Sequence, residues 1–299
     1  LAQEESLLDR ADELGPTLVL WRNDPCVVIG RHQNPWVECD LRKMKADALP
    51  LVRRTSGGGA VYHDGGNTNF SFIAPSDAYD QERHFRVVIA GLAALGIDAW
   101  KTERNDLRVG ERKISGNAFR HTKGRSLHHG TLLVHADLDL LTAYLSPRDA
   151  LIETKATASV RSRVTNLADH RPGLTHEELW DALEEAFARD YGAGTPGAPQ
   201  PPDPNSPVIR ARAAELASWE WCYGHTPSFV RRMTLGSARG HAQIALTVKK
   251  GVIVAVESEN STLSDTLLGA RYDAQVLTEL AADAGPLRSV IEEIARGLD

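Results

Sequence analysis

The sequence predicts an α+β protein, with mixed, largely antiparallel sheets flanked by helices over residues 1–224 and a small α+β C-terminal domain over residues 228–299. Three observations carry this expectation. Short runs rich in β-branched and aromatic residues, bounded by Gly, Asn, Asp and Pro, recur between Thr17 and Leu133. Apolar residues at helical spacing fill the intervals, as at Phe85, Val88, Ile89, Leu92 and Leu95. After Tyr223-Gly224-His225-Thr226-Pro227 the pattern restarts with alternating strands and ends in two helices, which places a boundary there.

Taken in order, Leu1 to Leu14 sets Leu1, Leu7, Leu8 and Ala11 on one helical face, and Gly15-Pro16 stops it. Thr17 to Trp21 and Cys26 to Gly30 read as strands of a hairpin joined by Asn23-Asp24-Pro25. Arg31 to Trp36 is polar and proline-bearing and reads as a loop. Asp40 caps a short helix burying Leu41, Met44 and Leu49, and Leu51-Val52 follows as a strand. Ala60 to Tyr62 forms another strand, and His63 to Asn67 reads as the turn of a hairpin with Asn69 to Ile73. Glu82 to Leu95 is a core-facing helix terminated by Gly96. Glu103 to Leu107 runs into a strand, Gly110 turns it, and Arg112 to Gly116 returns.

His128 to Leu133 is a strand whose alternation sends one of its two histidines inward. Leu138 to Leu145 is a short helix ended by Pro147. Thr175 and Glu178 have capping-box spacing and open a helix to Tyr191. Gly192 to Pro207 is an irregular, Gly/Pro-rich connection before a helix over Arg210 to Leu216. Beyond the boundary, Met233 to Leu235, Ile244 to Val248 and Val252 to Val256 are strands, with turns at Gly236 to Gly240 and Lys250-Gly251. Ala274 to Ala284 and Pro286 to Leu298 are helices.

The chain of 299 residues, 42% hydrophobic, is long enough to bury a full core. Its formal net charge of −6, from 34 basic and 40 acidic residues, argues against a general nucleic-acid binder but leaves room for a local basic pocket. Cys26, Cys39 and Cys222 are odd in number and lack CxxC spacing, so neither a disulfide framework nor a zinc knuckle is indicated, and a reducing compartment fits. No apolar run spans a bilayer, and the acidic opening LAQEESLLDR is unlike a signal sequence. A cytoplasmic location is expected, or a mitochondrial one if the source is eukaryotic and a transit peptide was removed upstream of Leu1.

The stretch RRTSGGGAVYHDGGN, Arg53 to Asn67, concentrates the chemistry. Gly57, Gly58 and Gly59 have no β-carbons, so an anion can lie against their peptide N–H groups. Arg53 and Arg54 add permanent charge and a fork matched to carboxylate or phosphate. Neither a Walker sequence nor Gly-x-Gly-x-x-Gly spacing is present, so phosphate binding would need another geometry. Lys113 is either a surface lysine or a pocket ammonium held by Ile114-Ser115-Gly116; Asp106 is its partner, a contact to metal-bound phosphate, or an ordinary strand-end carboxylate. Trp21 is core or a ligand wall, and Cys39 reads as a buried structural thiol. Lys155 to Asn166 is an ordered loop near the acceptor or a solvated connection.

With that stretch, RNDL at Arg104 to Leu107, KISG at Lys113 to Gly116 and HHGTLL at His128 to Leu133 in order, the chain resembles lipoate-protein ligase A and the related lipoyltransferases. The resemblance extends through NPWVEC, SVRSRVTNL and SWEWCYG into the C-terminal domain. It implies a biotin/lipoate ligase-like catalytic domain that activates lipoate with ATP to lipoyl-AMP and passes the acyl group to a lysine. Acceptors would be apo lipoyl domains of 2-oxoacid dehydrogenase E2 subunits and the glycine cleavage H protein. By resemblance Lys113 is the catalytic clamp on carboxylate and α-phosphate. Arg54, Gly59, Ala60, Val61, Tyr62 and Asp106 contact ATP or the adenylate. Trp21, Ser56, Gly57, Gly58, His63, His129 and Glu4 surround lipoate, its dithiolane in an apolar slot. Mg²⁺ would accompany ATP, with Asp106 as a possible contact and no all-protein metal cage. A monomer is expected, with neither nucleic acid nor membrane as partner. The segment from Asp106 to Lys113 is short compared with some bacterial ligases, which by resemblance implies a trimmed loop over the adenylate. Relatives using preformed lipoyl-AMP carry much the same motifs; a cysteine-dependent octanoyltransferase would need a reactive thiol, and a non-catalytic binder would use the same loop for affinity alone.

Overall fold

The strand Asn67–Pro75 is buried at every position but its last, which requires a sheet covered on both faces. This computed structural model describes residues 1–146, 151–192, 202–237 and 240–298. Its first elements are α1 (Ala2–Leu8), α2 (Ala11–Leu14), β1 (Thr17–Trp21), β2 (Cys26–Ile29), α3 (Pro35–Glu38), α4 (Leu41–Ala46), β3 (Leu51–Arg53), β4 (Val61–His63) and β5 (Asn67–Pro75). There follow α5 (Gln81–Ala94), β6 (Ala99–Lys101), β7 (Leu107–Val109), β8 (Arg112–Ser115), β9 (Asn117–Thr122), β10 (Arg125–Leu133), α6 (Leu138–Tyr144), β11 (Ile152–Thr154) and α7 (His176–Tyr191). The rest is α8 (Pro207–Ala217), α9 (Trp219–Cys222), β12 (Phe229–Ser237), β13 (Gly240–Lys249), β14 (Val252–Glu257), α10 (Ser261–Leu267), α11 (Ala274–Ala282) and α12 (Arg288–Arg296).

The main sheet has strand order β1-β5-β10-β9, all antiparallel. Alternation along β5 sends Phe70 and Phe72 to one face, where α5 and α7 supply Phe85, Val88, Leu92 and Leu183. Helix α7 begins at the predicted capping box, with Glu178 N donating to Thr175 Oγ1 at 3.2 Å and Thr175 N to Glu178 Oε2 at 3.1 Å. The opposite face carries Asn67, Asn69 and Ser71 from β5 and His129 and Thr131 from β10, all buried. Both histidines of β10 are therefore buried, His128 among Phe72, Phe85 and Phe119 and His129 on the polar face. The expectation of a single inward histidine assumed one solvated face.

Two expected hairpins are not formed. β1 pairs with β5, whereas β2 joins a smaller sheet of order β3-β2-β4, parallel to β3 and antiparallel to β4. An apolar strand buried along its whole length, as β2 is, needs partners on both edges, and β1 is committed elsewhere. Likewise the turn after His63 carries the chain from the small sheet to the main one, because Asp64 Oδ1 takes Gly66 N at 2.8 Å while Oδ2 takes Asp137 N at 2.8 Å. Turn chemistry fixed the reversal and not the partner. The β7/β8 hairpin forms as expected, with Gly110 at φ +53° and β6 added at its edge. The predicted first helix is two, α1 and α2, and the RHQNPW loop contains α3, with Pro35 in its first turn and Asn34 as N-cap. Pro147, residues 193–201 of the Gly/Pro-rich connection and residues 238–239 of the C-terminal turn lie outside the described residues.

The C-terminal sheet has order β11-β12-β13-β14, covered by α10, α11 and α12 around Leu246, Val248, Ile253, Leu277 and Ile291. Its edge strand β11 precedes residue 224 in sequence. Trp36 also enters this core, its ring 5.1–5.4 Å from those of Tyr223, Phe229 and Tyr272. Among the described residues no helix is long and apolar enough to cross a membrane.

Two outcomes are expected. Burial holds His84 down to about 4, and burial with the positive charge of Arg54 holds His63 down to about 3, against an ordinary 6.5. The unfolded chain takes up protons on these imidazoles first, so stability falls as pH drops from about 6.5 towards 4, His84 alone contributing on the order of 2–3 kcal/mol; chemical denaturation at stepped pH measures it, and His84→Phe flattens the slope. Trp36→Ala empties a cavity in the C-terminal core and costs about 3–5 kcal/mol by denaturant titration.

Candidate active site

The glycine loop between β3 and β4 is shaped from behind by one side chain. Arg54 Nε and Nη2 donate to Gly57 O at 3.1 and 2.6 Å, and Nη2 also donates to Gly59 O at 2.7 Å. Gly58 sits at φ +87° and its carbonyl packs on Gly30, where any Cβ would strike it. With these carbonyls drawn inward, the amides of Gly57, Gly58 and Gly59 are left without an acceptor among the described residues. Ala60 N donates to Ser159 Oγ at 2.9 Å, and Gln33 bridges the same hydroxyl to Gly30 N. Burial lowers Arg54 to about 10, so it stays charged at neutral pH. Most of its donors are engaged by the loop, and it also lines the cavity between this loop and the main sheet.

Arg53 departs further from expectation. It is fully buried and donates to Cys222 O, Thr226 Oγ1, Gly30 O, Arg31 O and Gln33 O at 2.6–3.1 Å. Arg53, the last residue of β3, anchors the C-terminal connection, and Arg54, the first beyond it, folds the loop.

A cavity of about 320 Å³ opens between this loop and the polar face of the main sheet. Lys113 reaches it from β8, with Nζ 2.8 Å from Asp106 Oδ1. The ammonium packs against Gly116, where a Cβ would lie 3.3 Å from Lys113 Nζ. The backbone of Lys113 is pinned by residues 163–165: its N donates to Arg163 O at 2.9 Å, and Thr165 N donates to its carbonyl at 3.1 Å. The basic segment Lys155 to Asn166 thus crosses over the site, placing Thr157, Ala158, Ser159 and Val160 on the cavity. A second cavity of about 220 Å³ lies on the other side, lined by Tyr62, Leu133, Leu141, Leu145, Arg161 and Val164 among others. Lys113, Ala60, Val61, Gly116 and Thr131 border both.

The far end of the first cavity is walled by Trp21, His63 and Asn69. Behind them runs a buried hydrogen-bond chain. Trp21 Nε1 donates to Ser71 Oγ at 3.0 Å, Ser71 Oγ to Glu4 Oε1 at 2.5 Å, His129 Nδ1 meets Glu4 Oε1 at 2.8 Å, and His129 Nε2 meets Ser56 Oγ at 2.7 Å. Burial alone would raise the Glu4 carboxyl, but the charge and hydrogen bond of His129 outweigh it and bring Glu4 down to about 2. The slot is therefore not wholly apolar.

Of the residues singled out from sequence, Trp21, Arg54, Gly58, Gly59, Ala60, Val61, His63, Asp106, Lys113 and His129 border the first cavity, and Tyr62 borders the second. Glu4 and Ser56 are buried behind these walls, and Gly57 is half-buried at the loop and borders neither cavity. The sequence reading passed over Gly30, Asn69, Arg104, Thr131 and Ser159. Asn69 and Thr131 were detectable as polar residues alternating with apolar ones in buried strands, whereas Ser159 meets the loop only through tertiary packing. No group of three or more His, Cys, Asp or Glu among the described residues could hold a metal ion by itself. The three cysteines are buried and border neither cavity; burial pushes Cys26 up to about 11 and raises Cys39 and Cys222 as well.

Residues 1–188 match the family described as the lipoyl protein ligase A/B catalytic domain. The chain is 40% identical to the lipoate-protein ligase A of Psychrobacter cryohalolentis, over 99% of its own length and 89% of that protein's. Among solved structures it is similar to P. falciparum LipL1 in complex with lipoate, with TM-score 0.65, 27% identity, and 98% and 95% of the two chains covered. It is also similar to a lipoate-protein ligase A bound with ATP, with TM-score 0.58, 31% identity, and 74% and 89% covered. A bi-partite lipoate protein ligase of Thermoplasma acidophilum, described with its E2 lipoyl domain, gives TM-score 0.59 at 31% identity, with 74% and 89% covered. A loop of free amides, a lysine between two cavities and a match over most of the chain agree: the protein belongs to the lipoyl protein ligase A/B family.

Proposed function

We propose that this protein is an ATP-dependent lipoate-protein ligase, with residues 1–224 carrying the chemistry and residues 228–299 accessory to it. The observation that carries the reading is the placement of Lys113 on the border of two cavities. Lipoate occupies the first, its carboxylate at Lys113 and its tail towards Trp21; ATP occupies the second, its α-phosphate at the glycine loop. Carboxylate and phosphate repel each other, so bringing them into contact requires fixed positive charge and amide donors at that point. A carboxylate oxygen attacks the α-phosphorus and pyrophosphate leaves, giving the mixed anhydride. The acceptor lysine amine then attacks the acyl carbonyl and AMP leaves, while the Lys113 ammonium holds the developing oxyanion without being acylated. Arg54 keeps the loop amides aimed at the phosphate.

Mg²⁺ fits this site as a passenger on the triphosphate, since Asp106 is the carboxylate beside Lys113 and no acidic cluster among the described residues supplies a cage. When bound it neutralises phosphate charge. Lipoyl domains of E2 subunits are the proposed acceptors, which the Thermoplasma relative supports, and the glycine cleavage H protein is a second, with the protein acting as a monomer.

The test is to incubate protein, ATP, Mg²⁺, lipoate and an apo lipoyl domain, following pyrophosphate release and the acyl mass on the acceptor. Transfer from added lipoyl-AMP without pyrophosphate release from ATP would reassign the protein as a transferase of preformed adenylate. Lys113→Ala is expected to lower turnover by about 10²–10³-fold, read as initial rate of acyl transfer. Cys39→Ser should keep the wild-type rate within about twofold, because a buried thiol of raised pKa is no nucleophile.

A further inference from the structure

One side chain ties the buried aromatic core to the turn that carries Asp106. Asn117 opens β9, and its Nδ2 donates to Asn105 O at 2.8 Å and to Ser115 Oγ at 3.1 Å, while its Oδ1 lies 2.9 Å from His128 Nε2. A main-chain carbonyl only accepts, so the contact to Asn105 O decides which end of the carboxamide is the donor. Oδ1 therefore faces His128, whose Nε2 carries the ring proton. Burial keeps that ring neutral, which leaves its Nδ1 to accept from His84 Nδ1 at 3.4 Å. Gly130, the register partner of Asn117, makes the crossing possible, since a Cβ there would lie 2.5 Å from Asn117 Oδ1. Asn117 is thus oriented from the core and donates towards the site.

What it holds is a turn closed on itself. Thr102 N donates to Asp106 O at 2.9 Å, Asn105 N to Thr102 O at 3.0 Å and Asp106 N to Thr102 Oγ1 at 3.1 Å, with Asn105 at φ +62°. These bonds stiffen the turn without fixing where it lies against the cavity. The β7/β8 ladder does not fix it either, because its register shifts between Leu107 and Arg108, one residue beyond Asp106. Placement falls to contacts from outside. Among the described residues these are Asn117 on Asn105 O, a 3.1 Å hydrogen bond between the Gln81 and Asn105 side chains, and the Lys113 ammonium on Asp106. Arg104 and Asp106, on either side of Asn105, both border the first cavity.

We propose that Asn117 is a positioning residue for the adenylation step: held by His128 and helped by Gln81, it sets the Thr102 to Asp106 turn so that Asp106 aims the Lys113 ammonium at the junction of the two cavities. This rests on the ligase reading and deepens it. A lysine ammonium rides on a flexible four-carbon stem, and the carboxylate 2.8 Å from Nζ decides where it rests. A charge that clamps two repelling anions has to be in place before they react. Displacing it by about 1 Å through a change remote from the chemistry can cost about 10²-fold in rate. Loosening the turn therefore slows the chemical step more than it weakens lipoate binding along the first cavity.

The experiment measures pyrophosphate release from ATP, Mg²⁺ and lipoate in wild type, Asn117→Ala, Asp106→Ala and the double variant. Asn117→Ala is expected to lower kcat by about tenfold with KM for lipoate within about twofold. In the Asp106→Ala background the same substitution should change kcat by no more than about twofold, because both remove one placement of the ammonium. Gln81→Ala, in the first turn of α5, is expected to lower kcat by about threefold in wild type and to lose that effect in Asp106→Ala; this decides the matter even if Asn117→Ala fails to fold. A wild-type kcat in either single variant, or losses that multiply when combined with Asp106→Ala, overturns the inference and leaves the ligase reading standing. No pyrophosphate release by wild type overturns both.

Discussion

The candidate site depends on the hold of one guanidinium on three carbonyls. Arg54 takes Gly57 O and Gly59 O, and also Val28 O at 3.2 Å, from within the protein. A peptide plane cannot turn its carbonyl one way without turning the next residue's N–H the other, so the hold on Gly57 O turns Gly58 N–H out of the loop and the hold on Gly59 O turns Ala60 N–H to Ser159. The arrangement needs glycine at two places far apart in the chain. Gly58 adopts φ +87°, and Gly30 yields the space its carbonyl occupies. The Arg54 charge thus shapes the loop from behind while also bordering the first cavity, which Lys113 enters from β8.

Lys113 owes its position to distant parts of the chain. Residues 163–165 pin its backbone, and Ser159 in the same segment meets Ala60 N. That segment emerges from β11, an edge strand of the C-terminal sheet, and Ser159 N is also held by both oxygens of Glu38 at 3.2 Å. Glu38 belongs to α3, whose Trp36 is buried in the C-terminal core. The covering of the site and the seating of the C-terminal sheet therefore share residues, and Arg53 joins them again through Cys222 and Thr226.

The two faces of the main sheet divide the labour of β5 and β10. One face is a hydrophobic core into which His128 and His84 are drawn as neutral rings, with the cost in acid stability that follows. The other is a polar floor whose residues alternate with that core, so the side chains that line the first cavity lie on the reverse side of those that stabilise the fold.

Sequence by itself determined what local chemistry decides. The capping box at Thr175, the Gly110 hairpin, the helix ended by Gly96 and the grouping of the glycine loop with Lys113 all follow from residues close in the chain, where spacing and backbone freedom limit the choices. Only the tertiary structure decided partners. β1 and β2 went to different sheets, the turn after His63 linked sheets instead of closing a hairpin, and both adjacent histidines were buried. It also decided where each arginine spends its donors, because Arg53 and Arg54 are alike in sequence, yet one ends β3 and points to Cys222 and the other begins the loop and folds it. Pairing, burial and the direction of a long side chain depend on surfaces assembled from distant segments, and no local pattern encodes them.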